Sequence, residues 1–265
     1  MEIKLAAAAV KGTSHIFSGL PCQDRAGCVR KNGVGVLALS DGAGSCPCSQ
    51  KTAEQAVQWT LKQLPERFDE WYELAKTAPE EMKRSFVQEI QTALGQCGIE
   101  PADGYCTLLL LGVHEDGRWL AGHIGDGIIL IQEAETPMQL LSGPENGEYK
   151  NETFFINEPE DVAAAHFRIH TGMANLPLRV LISSDGCEHL LVDWETRAAA
   201  PAAEIIGGWL AGHSEQEVAA ALEQNLQAQF SQNSDDDLSL AVLYCRGQIF
   251  EDKMKTETET ENDFH

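Results

Sequence analysis

Aspartates in this chain recur beside apolar runs in an arrangement that suits hard divalent cations. Ser40-Asp41-Gly42, Gly125-Asp126-Gly127 and Ser184-Asp185-Gly186 each stand at the downstream end of a run, at 34–39, 119–124 and 180–183. Asp235-Asp236-Asp237 instead precedes one, at 238–245. A carboxylate parked against a buried strand is costly unless something cationic meets it. Antiparallel pairing brings the end of one strand beside the start of another, so the four acids are expected to meet at one sheet edge. Oxygen ligands converging in this way are what Mg²⁺ and its relatives prefer.

The elements that must position these acids can be read from the patterning. Residues 3–10 form a first strand, followed by a loop over 11–21 rich in Gly, Ser and Thr. Strands over 26–30 and 34–39 form a hairpin that turns at Lys31-Asn32-Gly33. A helix over 49–71 carries Ala53, Ala56, Val57, Leu61 and Leu64 at three- and four-residue spacing, with Pro65 as its interruption or end. A second over 79–97 opens on Pro79-Glu80-Glu81 and repeats the pattern with Met82, Phe86, Ile90 and Leu94. Segments 107–113, 118–124 and 128–132 read as a meander of strands, turning first at Glu115-Asp116-Gly117. The polar stretch 133–160 carries no clear period, 167–170 and 179–183 read as strands, 202–210 and 214–230 as helices, and 238–245 as the last strand. The expected class is α+β, a β-sandwich of two antiparallel sheets flanked by pairs of α-helices. Residues 1–250 are expected to form a single domain, and 251–265, with its repeated Thr-Glu, a disordered acidic tail.

Composition narrows the function classes. A formal charge of -22 argues against nucleic acid and anionic membranes as partners, since both are met by basic surfaces. No apolar run reaches the length of a membrane span and residues 1–10 lack a signal-peptide pattern, so a cytoplasmic protein is expected, with a monomer favoured. In that setting the eight cysteines are expected to be reduced thiols. Cys46-Pro47-Cys48 has one residue between its sulfurs and no second pair at metal spacing, which favours structural thiols over zinc or redox chemistry. Cys187 reads as a small buried apolar residue and His123 as part of a sheet face. No Gly-x-Ser-x-Gly elbow, Walker loop or dinucleotide fingerprint is present.

The succession Gln23-Asp24, Asp41-Gly42-x-Gly44, Cys106-Thr107, Gly125-Asp126-Gly127, Ser184-Asp185-Gly186 and Asp236-Asp237-Leu238-Ser239 resembles the ordered motifs of the metal-dependent type 2C serine/threonine protein phosphatases, in particular a small bacterial branch. The resemblance spans residue 4 to about residue 244. It implies a helix-flanked β-sandwich and the hydrolysis of phosphoserine and phosphothreonine on proteins by a water bridging two cations. It further implies that Asp41 bridges two Mg²⁺ or Mn²⁺ ions, that the Gly42 carbonyl binds one of them, and that Asp185 and Asp236 complete the other's shell. Asp24 would act through water, and Asp126 would help hold a third, weaker ion. Two such cations lower the pKa of a shared water and stabilise both the entering and leaving oxygens of an in-line transfer.

The chain also departs from that family. Ala43 stands where eukaryotic relatives carry a general-acid His after Asp-Gly, the phosphate-gripping Arg upstream of Gln-Asp is absent from 18–22, and Gly-Asp-Ser-Arg has become Gly125-Asp126-Gly127-Ile128. His15 and Lys11 are the nearest cations that could replace the Arg, and His15 joins Asp41 as an expected catalytic residue. Asp237 reads as a neighbour in a solvated acidic run. The competing reading is a module that retains metal, binds a phosphorylated protein partner and turns over negligibly; a third is a structural partner-binding protein that holds no metal.

Overall fold

The computed structural model describes residues 1–145 and 153–247. Two antiparallel sheets lie face to face. One is built from β2 (Arg25–Lys31), β3 (Val34–Ser40), β4 (Leu108–His114), β5 (Arg118–Ile124) and β8 (Arg168–Met173), in that spatial order. The other runs β1 (Glu2–Val10), β12 (Leu238–Arg246), β9 (Leu178–Ser183), β6 (Ile128–Glu133), β7 (Gln139–Ser142), β11 (Ala198–Ala199) and β10 (Val192–Asp193). Helices α2 (Ser49–Gln63), α3 (Phe68–Thr77), α4 (Pro79–Gly95) and α5 (Glu160–His166) belong to the first sheet's outer face. Helices α6 (Glu188–Leu191), α7 (Pro201–Gly212) and α8 (Glu215–Ala228) belong to the second's.

Period-two alternation explains how one strand serves two cores. Leu37, Leu39, Leu109 and Leu111 point between the sheets and meet Ile129, Val180, Ile182 and Leu243. Their neighbours Val36, Leu108 and Leu110 point outward onto Trp71, Phe86 and Ile90 of the helices. Both faces of β4 are thereby dry, which is why Leu108–Leu111 reads as an unbroken apolar run. On the far side Leu181, Leu240 and Val242 pack under Leu210, Leu222 and Leu226. The α+β sandwich is therefore present as four layers. Among the described residues no helix is long and apolar enough to cross a membrane.

Several elements differ from the sequence reading, each for a local reason. Residues 128–132 do not continue a meander with β5: β6 pairs with β7 and β9 in the opposite sheet. Gly125-Asp126-Gly127 is thus a crossing between sheets. Gly125 has φ 121°, which a side chain would strain, and a Cβ at Gly127 would lie 2.5 Å from the Ser183 carbonyl oxygen, so the first glycine answers to its positive φ and the second to close backbone approach. The loop expected over 11–21 holds a short helix, α1 (Thr13–Ser18), closed by Gly19 in the left-handed region. The helix expected over 49–71 stops at Gln63 and a new one starts at Phe68, because Pro65 lacks the N–H that would continue the first. The unordered stretch 133–160 contains β7. Ser214 caps α8 with a reciprocal Glu217 box instead of being its first residue. The expected tail, 251–265, lies outside the described residues.

Candidate metal centre

Strand ends place the acids. Asp24 precedes β2 and Asp41 follows β3, and the pairing Arg25↔Ser40 sets the two side by side. Asp126 leaves β5 where Ile124 pairs with Leu108, the strand that continues the Gly42↔Cys106 bridge. In the other sheet Asp185 follows β9 and Asp236 precedes β12, joined through Ser183↔Leu240, while Ile128↔Ser183 brings in the crossing from Asp126. Both sheets therefore feed one open end of the sandwich, and the acids meet between the sheets instead of along a single sheet edge.

Asp41, Asp126 and Asp185 each offer a carboxylate oxygen, and these atoms lie within 4.8 Å of one another. Asp24 sits behind them, 1% exposed, with its Oδ2 taking a hydrogen bond from Ser239 Oγ at 2.6 Å. Asp236 is exposed at the rim and lies outside this three-acid set, although its charge is felt by Asp185. Gly42 is pressed against the start of α2, where a Cβ would come within 2.8 Å of the Ser49 backbone, so the turn after Asp41 admits no side chain. Thr107 fixes the turn from the other side: its Oγ1 accepts the Asp41 N–H at 2.9 Å and its N–H donates to the Asp41 carbonyl at 2.8 Å.

The electrostatics are those of acids lacking a counter-charge. Burial pushes the Asp41 carboxyl well above the usual carboxylate range, and the charges of Asp24, Asp185 and Asp126 add to the effect. Burial likewise raises Asp185 to about 8, with Asp126, Asp236 and Asp24 contributing. Asp24 is raised by its burial, against the hydrogen bonds from Ser239 and Ser184. Among the described residues no Lys, Arg or His forms an ion pair with any of these acids. Asp126 Oδ1 and Asp185 Oδ1 are buried without a hydrogen-bond partner among the described residues, acceptor oxygens for which a cation is the natural complement. The residues present therefore fit a divalent metal.

The remaining site residues are placed as follows. His15 is one turn into α1 and its Nδ1 lies 2.9 Å from Asp237 Oδ2; the structure gives it no contact with Asp41. Asp237 is not the solvated neighbour expected from Asp235-Asp236-Asp237 but is 2% exposed and takes the backbone N–H groups of Gly12 and Gln23. Ser184 and Ser239 line the Asp24 carboxylate, and Thr153 Oγ1 donates to Asp126 Oδ2 at 2.6 Å. Glu188, raised by burial, keeps a buried Oε2 without a hydrogen bond. Ser184 and Ser239 entered the sequence reading only as motif neighbours with no role, and Thr153 and Glu188 were not singled out; for Glu188 the available signal was its place one turn after Ser184-Asp185-Gly186. Cys46 is buried and Cys48 stands at the N-cap of α2, while His123 is buried in β5 against Ser142.

A helix-flanked sandwich with an all-carboxylate cluster at one open end defines the class: an α+β protein with an acidic cluster that fits hard cations. The chain belongs to the protein phosphatase 2C family, whose model matches residues 11–227. It is 28% identical over 199 residues to serine/threonine-protein phosphatase 3 of Escherichia coli (strain K12), covering 73% of this chain and 77% of that protein. Its fold is similar to that of a bacterial serine phosphatase, with TM-score 0.64 and 12% identity over 93% of this chain and 99% of that one. The S. agalactiae serine/threonine phosphatase gives 0.63 and 15%, over 92% and 100%. The catalytic domain of the serine/threonine protein phosphatase PstP, in complex with two manganese ions, gives 0.57 and 16%, over 92% and 99%.

Proposed function

We propose that this chain is a protein serine/threonine phosphatase that uses two divalent cations, Mn²⁺ or Mg²⁺, to hydrolyse phosphoserine and phosphothreonine. One observation carries the reading: Asp41, Asp126 and Asp185 converge within 4.8 Å while two of their buried oxygens lack partners among the described residues, in a chain matched to the protein phosphatase 2C family. Asp41 would touch both ions, helped by the Gly42 carbonyl, with Asp185 and Asp236 on one ion, Asp24 acting through water, and Asp126 toward a weaker third. When bound, the pair acidifies a water and stabilises the entering and leaving oxygens of the transfer. The chain's own residues orient this machinery. Thr107 locks the Asp41 turn, Ser239 aims Asp24, and Thr153 occupies the second oxygen of Asp126. His15 would meet the phosphoryl oxygens in place of the absent arginine. Both sheets supply ligands, so the reading takes residues 1–250 as one catalytic unit.

The test is dephosphorylation of a phosphothreonine peptide by the full chain with Mn²⁺, with Mg²⁺ and with excess chelator. Saturable turnover with metal and none with chelator supports the reading. Metal binding without turnover above that of the Asp41→Asn protein would instead leave a phosphoprotein-binding module. A preference for phosphotyrosine over phosphothreonine in matched peptides would overturn the substrate assignment.

A further inference from the structure

The segment carrying His15 and Asp24 is fastened to the segment carrying Asp236 through one buried carboxylate. Asp237 Oδ1 accepts the Gly12 N–H at 2.7 Å, and Oδ2 accepts the Gln23 N–H and faces His15 Nδ1 at 2.9 Å. Around it Thr13 Oγ1 donates to Asp235 Oδ1 at 2.6 Å and the Ser14 N–H to the Asp235 carbonyl at 3.0 Å. Gly12 fits this junction only because it lacks a Cβ, which would fall 2.2 Å from the Asp236 carbonyl. Asp237 has no cation other than His15 within ion-pairing distance among the described residues. Two backbone N–H groups would be enough to hold the loop, and the third contact, to an imidazole, needs a separate account.

We propose that Asp237 is the positioning residue for His15, fixing the ring so that Nε2 is the nitrogen offered to the phosphoryl group. Both Asp237 oxygens already accept backbone N–H groups, so the proton of this contact belongs to His15 Nδ1 and the other ring nitrogen is left for substrate. The same contact fixes the ring's orientation, as buried carboxylates do for imidazoles in other hydrolytic sites. The inference rests on the proposed reading of His15 as the phosphate contact. It adds that a residue next to a candidate metal ligand acts through the imidazole and not through the metal.

Two measurements on the full chain test it. Nitrogen-15 NMR of the histidine rings, with His15 neutral, is expected to show the Nδ1–H form in the native protein and a shift toward Nε2–H in Asp237→Asn. An Nε2–H ring in the native protein overturns the proposal whether or not the protein turns over peptide. In a double-mutant cycle on a phosphothreonine peptide with Mn²⁺, His15→Ala and Asp237→Asn are each expected to lower kcat/KM by about tenfold or more, and the double variant to be no worse than the poorer single one. Calorimetric Mn²⁺ affinity is expected to stay within about twofold for both singles, which separates this role from ligand loss. Multiplicative losses would make Asp237 a loop clasp and nothing more, and an unimpaired His15→Ala would remove what it positions. A native protein that shows no metal-dependent turnover would fail the phosphatase reading while the ring assignment stands or falls on its own.

Discussion

Strand β5 has an acid at each end, and the protein treats the two ends in opposite ways. At the hairpin before it, Asp116 takes the Arg118 N–H at 3.0 Å and the Arg118 guanidinium at 2.7 Å, its own N–H donates to His114 Nδ1 at 3.2 Å, and Arg118 reaches on to Asp69. Burial works against the charge of Asp116, but these donors together hold its carboxyl below the usual range. At the crossing after β5, Asp126 joins Asp41 and Asp185 with no basic partner among the described residues, and the carboxyls of Asp41 and Asp185 are pushed upward. A fold that neutralises acids with Arg at one end has the means to do so at the other. The absence of a counter-charge there among the described residues is what makes the second cluster read as a site and the first as structure.

The largest effect expected from this contrast is at Asp41. Replacing it with Asn removes the carboxylate proposed to touch both ions, so peptide turnover should fall to background and calorimetry should show both metal sites weakened, while far-UV circular dichroism stays native. Asp126→Asn, at the proposed weaker ion, should leave two-metal binding in place. An Asp41→Asn protein that still binds two Mn²⁺ ions would break the comparison at its stronger end.

Removing metal should expose the same contrast as a pH dependence. Because the Asp185 carboxyl is raised to about 8 in the folded, metal-free state, the folded chain binds protons more tightly than the unfolded one. Its contribution to stability is then present at low pH and lost as pH rises from the ordinary aspartate range toward 8. With chelator, the melting temperature should be higher near pH 5.5 than near pH 8, and Mn²⁺ should restore it at about pH 8. Asp185→Asn should flatten this dependence. Asp116 has the opposite sign: its depressed carboxyl contributes stability above the unfolded pKa, lost only as pH falls into the acid range. A melting curve indifferent to chelator at both pH values would mean that the acids do not strain the fold.

How much of this was legible in the sequence depends on what each feature needs in order to be seen. Asp41, Asp126 and Asp185 follow apolar runs, so strand ends could be read off and their convergence anticipated. Their placement between two sheets could not be read, because whether β6 pairs with β5 or leaves it depends on contacts such as Gly127 against Ser183, distant in sequence. Asp237 was misjudged for a related reason. Three consecutive aspartates look alike in composition, and only the first residues of β12, threaded under Gly12 and Gln23, decide which is buried. The break at Pro65 was visible, whereas the helix restarting at Phe68 relies on Trp71 and Tyr72 finding a core that strands β4 and β8 supply.

The smallest effect belongs to the compensated end and sharpens the comparison by being small. Arg118 pairs with Asp116 and Asp69, whose side chains are 44% and 78% exposed, so solvent screens most of the attraction. Its guanidinium also lies 5.8 Å from the Phe68 ring centre and 5.3 Å from that of Tyr72, which adds packing to charge. Arg118→Ala is therefore expected to cost about 1 kcal/mol or less and to lower the melting temperature by roughly 2–4 °C. Part of that loss should disappear in high salt, where the native pair is itself screened. Metal affinity and peptide turnover should be unchanged, since the hairpin and the metal centre are separated by the length of β5, on the order of 20 Å for seven residues. A turnover defect in Arg118→Ala comparable to that of Asp41→Asn would show that the two ends of the strand are not independent.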